Sequence, residues 1–277
     1  MKKILCVLLS ALLAFACALP AFAADGAKNY VVLGDSIAQG SGLYNSDQAA
    51  YGRIVADTNG YNYANFGVNG LRSWDLIEQL KTDPVASAVA AADIVSLSIG
   101  GNDYLQQDLP KIFSDIARGD YKIINDIQNN FRGYFAEIIS LLKAANPDVA
   151  LFVQTLYNPQ YGALRDAYGM ATSRINEVIT GYLAENPGAF YLVDTVPVME
   201  GHPEYIAVDT IHPSAVGNVE LARLVLQRLY EEGYGENTEP VTNAVGVDEI
   251  PFTSYIFKAI RDFFSMIVNL IKGVFGK

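Results

Sequence analysis

The chain carries two histidines, His202 and His212. Imidazole-driven chemistry therefore has two candidate addresses. His212 lies three residues after Asp209, in Asp209-Thr210-Ile211-His212-Pro213. In a short loop that spacing lets the carboxylate reach Nδ1, fix the tautomer and leave Nε2 free to take a proton. His202 is also followed by proline, but Met199 stands three residues before it and no carboxylate is similarly placed. His212 is therefore the expected base. Pro213 should keep His212 out of helical geometry and start the next helix.

A base of this kind serves a nucleophile, and Ser36 is the candidate. It ends Gly34-Asp35-Ser36, just after the apolar run 31–33. A serine hydroxyl is a weak nucleophile until a base removes its proton. Taken alone, a Ser after a Gly-Asp turn is more often a plain helix cap. Attack on a carbonyl also requires donors for the oxyanion that forms. The Ser36 N–H can be one, at the start of a helix where negative charge is favoured. Gly70, closing Asn65-Phe66-Gly67-Val68-Asn69-Gly70, can present a bare backbone N–H, and Gly67 is its rival. Asn102, in Gly100-Gly101-Asn102-Asp103, can add a side-chain amide. Each has an ordinary reading, as a turn or a cap, and their joint occurrence in order favours the chemistry.

These groups need a scaffold that brings them to one edge. Apolar, β-rich runs fall at 31–33, 61–66, 94–99, 149–156 and 190–193. Such runs suit strands covered on both faces. Helical stripes separate them: Trp74, Ile77 and Leu80; Phe131, Phe135, Ile138, Ile139 and Leu142; Ile175, Val178, Ile179 and Tyr182; Leu221, Leu224, Val225 and Leu229. The alternation predicts an α/β fold with three layers, a doubly wound parallel five-stranded sheet in flavodoxin-like order. Ligands then bind at the carboxyl ends of the strands. The connection 103–148 is long for one crossover. It should hold two helices, near 109–117 and 124–144, forming either a cap over the site or a thicker helical layer.

With these motifs in place, the chain resembles the SGNH hydrolases of the GDSL lipase and acylhydrolase group, especially the bacterial lysophospholipase-like branch. The resemblance covers about residues 30–229. It implies Ser36 as nucleophile, Gly70 and Asn102 as oxyanion donors beside the Ser36 N–H, and Asp209 and His212 as acid and base. Ile37 stands where the family name has leucine, and the second block is loose. Tyr157-Asn158-Pro159 also resembles that branch, and no role carries over from it. The Gly-x-Ser-x-Gly elbow is absent, since Ala38 takes its last place.

The termini differ from this body. Met1-Lys2-Lys3, an apolar run from Ile4 to Leu19, and Ala21-Phe22-Ala23 form a secretory leader, expected to be cleaved before Ala24. The run is short for a membrane anchor. Phe15 suits lipoprotein attachment at Cys17 poorly. Cys6 and Cys17, the only cysteines, both fall in the leader, so no disulfide is expected. Two histidines and no later cysteine leave mainly carboxylates for a metal, and neither metal nor cofactor is expected. The net charge of -11 becomes -13 without Lys2 and Lys3. A chain so acidic is a poor partner for nucleic acid.

The expected organisation is a leader over 1–23, a hydrolase domain over 24–232, a linker over 233–250 and an amphipathic helix over 251–277. That helix presents an apolar face from Ile256 to Val274. Lys258, Arg261, Lys272 and Lys277 against Asp262 give it a charge of +3. It should contact a membrane surface, or pack on its own domain or a second copy. The combined expectation is a secreted or envelope-associated serine esterase acting on a small-molecule or lipid ester. A carbohydrate O-acetyl esterase and a non-catalytic surface-binding module on the same fold are the rivals.

Overall fold

The computed structural model describes residues 26–242. The leader, the later part of the linker and the C-terminal helix lie outside the described residues.

Five strands are formed: β1 (Asn29–Gly34), β2 (Asn62–Asn65), β3 (Ile94–Ser98), β4 (Ala150–Gln154) and β5 (Tyr191–Val193). All pair in parallel, in the order β2-β1-β3-β4-β5. This is the doubly wound arrangement the alternation implied. The central strands β3 and β4 are buried throughout, and the edge strands β2 and β5 only in part. Alternate residues feed two cores. Val31, Leu33, Val95, Leu97, Leu151 and Val153 face one layer, while Tyr30, Val32, Ile94 and Phe152 face the other.

The helices that matter here are α1 (Ser36–Gln39), α2 (Tyr51–Asn59), α3 (Ser73–Leu80), α4 (Asp83–Ala90), α5 (Gly101–Leu105), α6 (Leu109–Ala117), α7 (Lys122–Ala145), α8 (Arg165–Glu185) and α9 (Ala215–Glu231). Side chains of α3, α4, α7 and α8 fill the first core, and those of α2 and α9 the second. The stripes on α7, α8 and α9 are buried largely as their spacing requires. The α3 stripe differs. Leu76, Ile77 and Leu80 are buried, whereas Trp74 is 43% exposed, with the Arg72 guanidinium 4.5 Å from its ring centroid. Stacking under a cation satisfies that ring at the surface, so Leu76 takes the inward position.

The long connection after β3 holds α6 and α7, close to the expected bounds. They serve both expected purposes. Helix α7 thickens the layer on the sheet, and α6 supplies Leu109, Ile112 and Phe113 to a pocket at the strand ends. Residues 233–242 have no regular structure, yet they are fastened to the body. The Asn59 side chain accepts from the N–H groups of Glu236 and Asn237, and Tyr61 and Lys28 both donate to the Tyr234 carbonyl.

Candidate active site

Strand β1 ends in a close approach that only glycine permits. A Cβ on Gly34 would lie 1.9 Å from the Ser98 carbonyl oxygen of β3, and its φ is +128°. The next N–H, that of Asp35, donates to the same carbonyl at 3.1 Å. This contact turns the chain out of the sheet where the winding reverses, between β1 and β3. The cap of α1 is Asp35, whose Oδ1 accepts from the Ile37 N–H at 3.0 Å. Ser36 is therefore not spent as a cap. Ser36 is 7% exposed and lines the pocket.

The base loop is built around one carboxylate. Asp209 Oδ2 lies 2.6 Å from His212 Nδ1, and Oδ1 accepts from the backbone N–H of both Ile211 and His212 at 3.0 Å. Thr210 between them has φ +65°, a strained position for a β-branched residue. Gln160 Nε2 donates to the Thr210 carbonyl at 2.6 Å and Tyr157 Oη to the Ile211 carbonyl at 3.1 Å. Burial would raise the Asp209 pKa. The imidazole hydrogen bond, the backbone donors and the His212 charge outweigh it and bring the group to about 2. The carboxylate thus stays ionised at neutral pH. Pro213 does not begin the following helix. It bridges to Ile206, and Ser214 caps α9 by accepting from the Gly217 N–H at 3.0 Å.

His212 and Ser36 share one neighbourhood. A Cβ built on Gly42, just beyond α1, would lie 3.3 Å from His212 Cβ. Ser36 and Ile211 line the same pocket. Asp35 is close enough to feel the imidazole: burial pushes its carboxyl up to about 7, against the opposing pull of the Ile37 N–H and of His212, with Asp103 adding to the rise. Among the described residues, no hydrogen bond joins Ser36 Oγ to His212 Nε2. Such contacts commonly tighten only when substrate is bound. His202 does have a carboxylate, Glu204, 2.9 Å from its Nδ1, two residues after it instead of three before. Its side chain is 46% exposed, stacked on Tyr205, and outside the pocket lining.

The candidate oxyanion donors come from remote segments. Gly67 is engaged elsewhere: its N–H donates to Asn65 Oδ1 at 2.8 Å, and a Cβ there would lie 2.5 Å from the Gln39 nitrogen. Gly70, at φ +80°, has an N–H with no acceptor among the described residues. Asn102 lines the pocket, and one of its amide protons goes to the Leu71 carbonyl at 3.1 Å. Two neighbours on and after α5 brace the same loop. Asp103 accepts from the Ser73 hydroxyl at 2.5 Å and from its N–H at 3.0 Å, and Gln106 donates to the Gly70 carbonyl. Burial raises the Asp103 pKa, with the Ser73 bonds pulling it back.

The pocket opens to solvent, and the space between its walls, open solvent at the mouth included, is about 870 Å³. Leu105, Leu109, Ile112, Phe113, Leu156 and Tyr168 make its wall largely apolar. The sequence motifs did not single out this wall, nor Gln160 and Gln106, and they gave Asp103 and Tyr157 no role. The length of the 103–148 connection was the signal for α6. The Tyr157-Asn158-Pro159 segment was visible without a role, and it supports the base loop.

Comparison with known proteins fits this arrangement. Residues 32–219 match the model of the GDSL-like lipase/acylhydrolase family. An uncharacterized Bacillus subtilis protein, YpmR, is 27% identical over 74% of this chain and 84% of its own length. An acetylxylan esterase from Geobacillus stearothermophilus is 25% identical over 61% of this chain and 73% of its own. Among solved structures, a lipase from a goat rumen metagenome superposes with TM-score 0.57 at 20% identity, over 75% of this chain and 98% of that one. An extracellular lipase from Streptomyces rimosus does so with TM-score 0.57 at 20% identity, over 74% and 99%. The match spans most of the described sheet and all its strand-end motifs up to α9, so this chain belongs to the GDSL-like lipase/acylhydrolase family and is an ester-hydrolysing enzyme.

Proposed function

We propose that the enzyme is a secreted serine esterase that cleaves acyl esters with apolar acyl chains, lipid or lysophospholipid esters among them, through a Ser36–His212–Asp209 triad. The observation that carries this reading is the 2.6 Å contact from Asp209 to His212 Nδ1, in a loop that shares a pocket with Ser36. It leaves Nε2 as the free nitrogen. His212 takes the Ser36 proton as Oγ bonds to the ester carbon. The carbonyl oxygen becomes an oxyanion, received by the N–H groups of Ser36 and Gly70 and by the Asn102 amide. Collapse breaks the bond to the leaving alcohol, which takes the proton from His212. Water then attacks the acyl-enzyme with the same base and frees Ser36.

The apolar wall supports a lipid acyl group, because each buried methylene contributes about 0.8 kcal/mol. The acetylxylan esterase relative supports a second reading, a carbohydrate O-acetyl ester. Comparing p-nitrophenyl acetate with the octanoate, beside Ser36→Ala, tests both. The lipid reading expects higher kcat/KM on octanoate and loss of turnover on both esters in the variant, with folding retained by circular dichroism. Acetate preference favours the sugar reading, and wild-type-like turnover by Ser36→Ala removes the triad. Export rests on the leader sequence. Edman sequencing of the secreted protein should begin at Ala24.

A further inference from the structure

One contact in the pocket has no part in the steps above. Phe113 reaches in from α6 and Tyr168 from α8, and both line the pocket. Their ring centroids are 5.8 Å apart and their planes tilted by 41°. The ion pairs of α6 close within the helix, from Lys111 and Arg118 to Asp115, both at 2.5 Å. They tether it to no other element. What fixes α6 over the site is its apolar side, with Ile112 1% exposed and Phe113 against Tyr168.

The triad reading gives this pair a place on the substrate. Three substituents leave the reacting carbon besides Ser36 Oγ. The oxyanion turns to Gly70 and Asn102, and the leaving alcohol to His212. The acyl chain is left with the apolar wall of α6 and α8. Resting on that reading, we propose that Phe113 and Tyr168 set the length of acyl chain the enzyme accepts, by closing the pocket between these two helices. Up to the ring pair each added methylene gains burial. Beyond it, a longer chain must displace an aromatic contact or stay in water.

The test is kcat/KM of the full chain, below micelle-forming concentrations, on p-nitrophenyl acetate, butyrate, octanoate and dodecanoate. Phe113→Ala, Tyr168→Ala and Phe113→Trp are compared with wild type, and Ser36→Ala is the blank. In wild type kcat/KM should climb with length and then drop. Phe113→Ala and Tyr168→Ala should move the drop to longer chains. Their dodecanoate-to-butyrate ratio should rise about ten-fold or more, as expected for two further buried methylenes. Phe113→Trp should lower that ratio. Should Phe113→Ala fail to fold, the other two variants still predict shifts of opposite sign. Ratios unchanged in every folded variant, with turnover that Ser36→Ala abolishes, overturn the length-setting role and leave the triad intact. Turnover that survives Ser36→Ala removes the reading on which the role rests.

Discussion

The two halves of the site are built in opposite ways. On the side of the proposed base, one carboxylate organises a loop of four residues, accepting from the Ile211 and His212 N–H groups and lying against the His212 ring. On the side of the proposed oxyanion donors, Gly70 and Asn102 stand thirty-two positions apart in the chain and are held together by ties from the loop after β2 and the start of α3 to helix α5 and Gln106 just beyond it. A local device depends on the chain's own spacing. A remote one depends on the sheet putting the ends of β1, β2 and β3 side by side. Substitutions in the first half should therefore act on chemistry steeply and at one residue, and in the second through smaller, distributed losses.

The sharpest contrast comes from Asp209→Asn. An amide nearly preserves shape but cannot stabilise the imidazolium and can favour the wrong tautomer. A fall in kcat of roughly 10⁴ is expected, with KM little changed. Stopped assays on p-nitrophenyl butyrate would show it, and a loss under ten-fold would take Asp209 out of the triad. Next in size is Asn102→Ala. It removes one proposed oxyanion donor and should lower kcat by roughly 10²–10³. The Leu71 carbonyl also loses its partner, so thermal melting is measured alongside. A kcat unchanged in a folded variant would assign the oxyanion to backbone donors alone.

Between the halves lies Asp35, which feels both His212 and Asp103. Burial raises it to about 7 in the folded protein, against about 3.9 in the unfolded chain. Between those values the native state holds a proton that the unfolded chain has lost. Stability from this group is therefore fully present below about pH 4 and falls as pH rises towards 7. Asp35→Asn keeps an acceptor for the Ile37 N–H and removes the titration. Relative to wild type it should gain on the order of 2–4 kcal/mol more at pH 8 than at pH 4. Urea unfolding at both pH values measures this, and equal pH slopes would show that Asp35 ionises normally.

The same division governs how much could be read without coordinates. Asp209 and His212 were legible because three residues of spacing nearly determine the contact. The central strands β1, β3 and β4 were legible because both faces are buried, so their runs are largely apolar. Ser36 needed its Gly34-Asp35 context, and the structure adds that Asp35, not Ser36, caps α1. The preference for Gly70 over Gly67 rested on the family resemblance alone. The structure adds that the Gly67 N–H is already bonded to the Asn65 side chain, which supports Gly70. Trp74 misled because a helical period records which residues are apolar, while the Arg72 guanidinium over its ring makes exposure tolerable. Tyr157 and Gln160 support a loop some fifty positions later, a relation that no local pattern carries.

The mildest expected effect tests the remote brace at its outermost member. Gln106 is exposed, and its side-chain amide donates to the Gly70 carbonyl. It is not among the residues that line the pocket. Its proposed work is to hold the Gly70 peptide so that the N–H faces the oxyanion. Gln106→Met keeps length and bulk and deletes the donor. The loss of one neutral hydrogen bond, about 0.5–1.5 kcal/mol, corresponds to a kcat lower by about 3- to 10-fold. KM and Tm should stay where they are, because ground-state binding and the cores are untouched. Gln106→Glu, which cannot donate when ionised, should match Gln106→Met at pH 8 and recover part of the loss near pH 5, where some of its carboxyl is protonated. A Tm that falls with kcat, or a Gln106→Glu variant as active as wild type at pH 8, would show that Gln106 is a surface group and that Asp103 and Asn102 hold the loop without it.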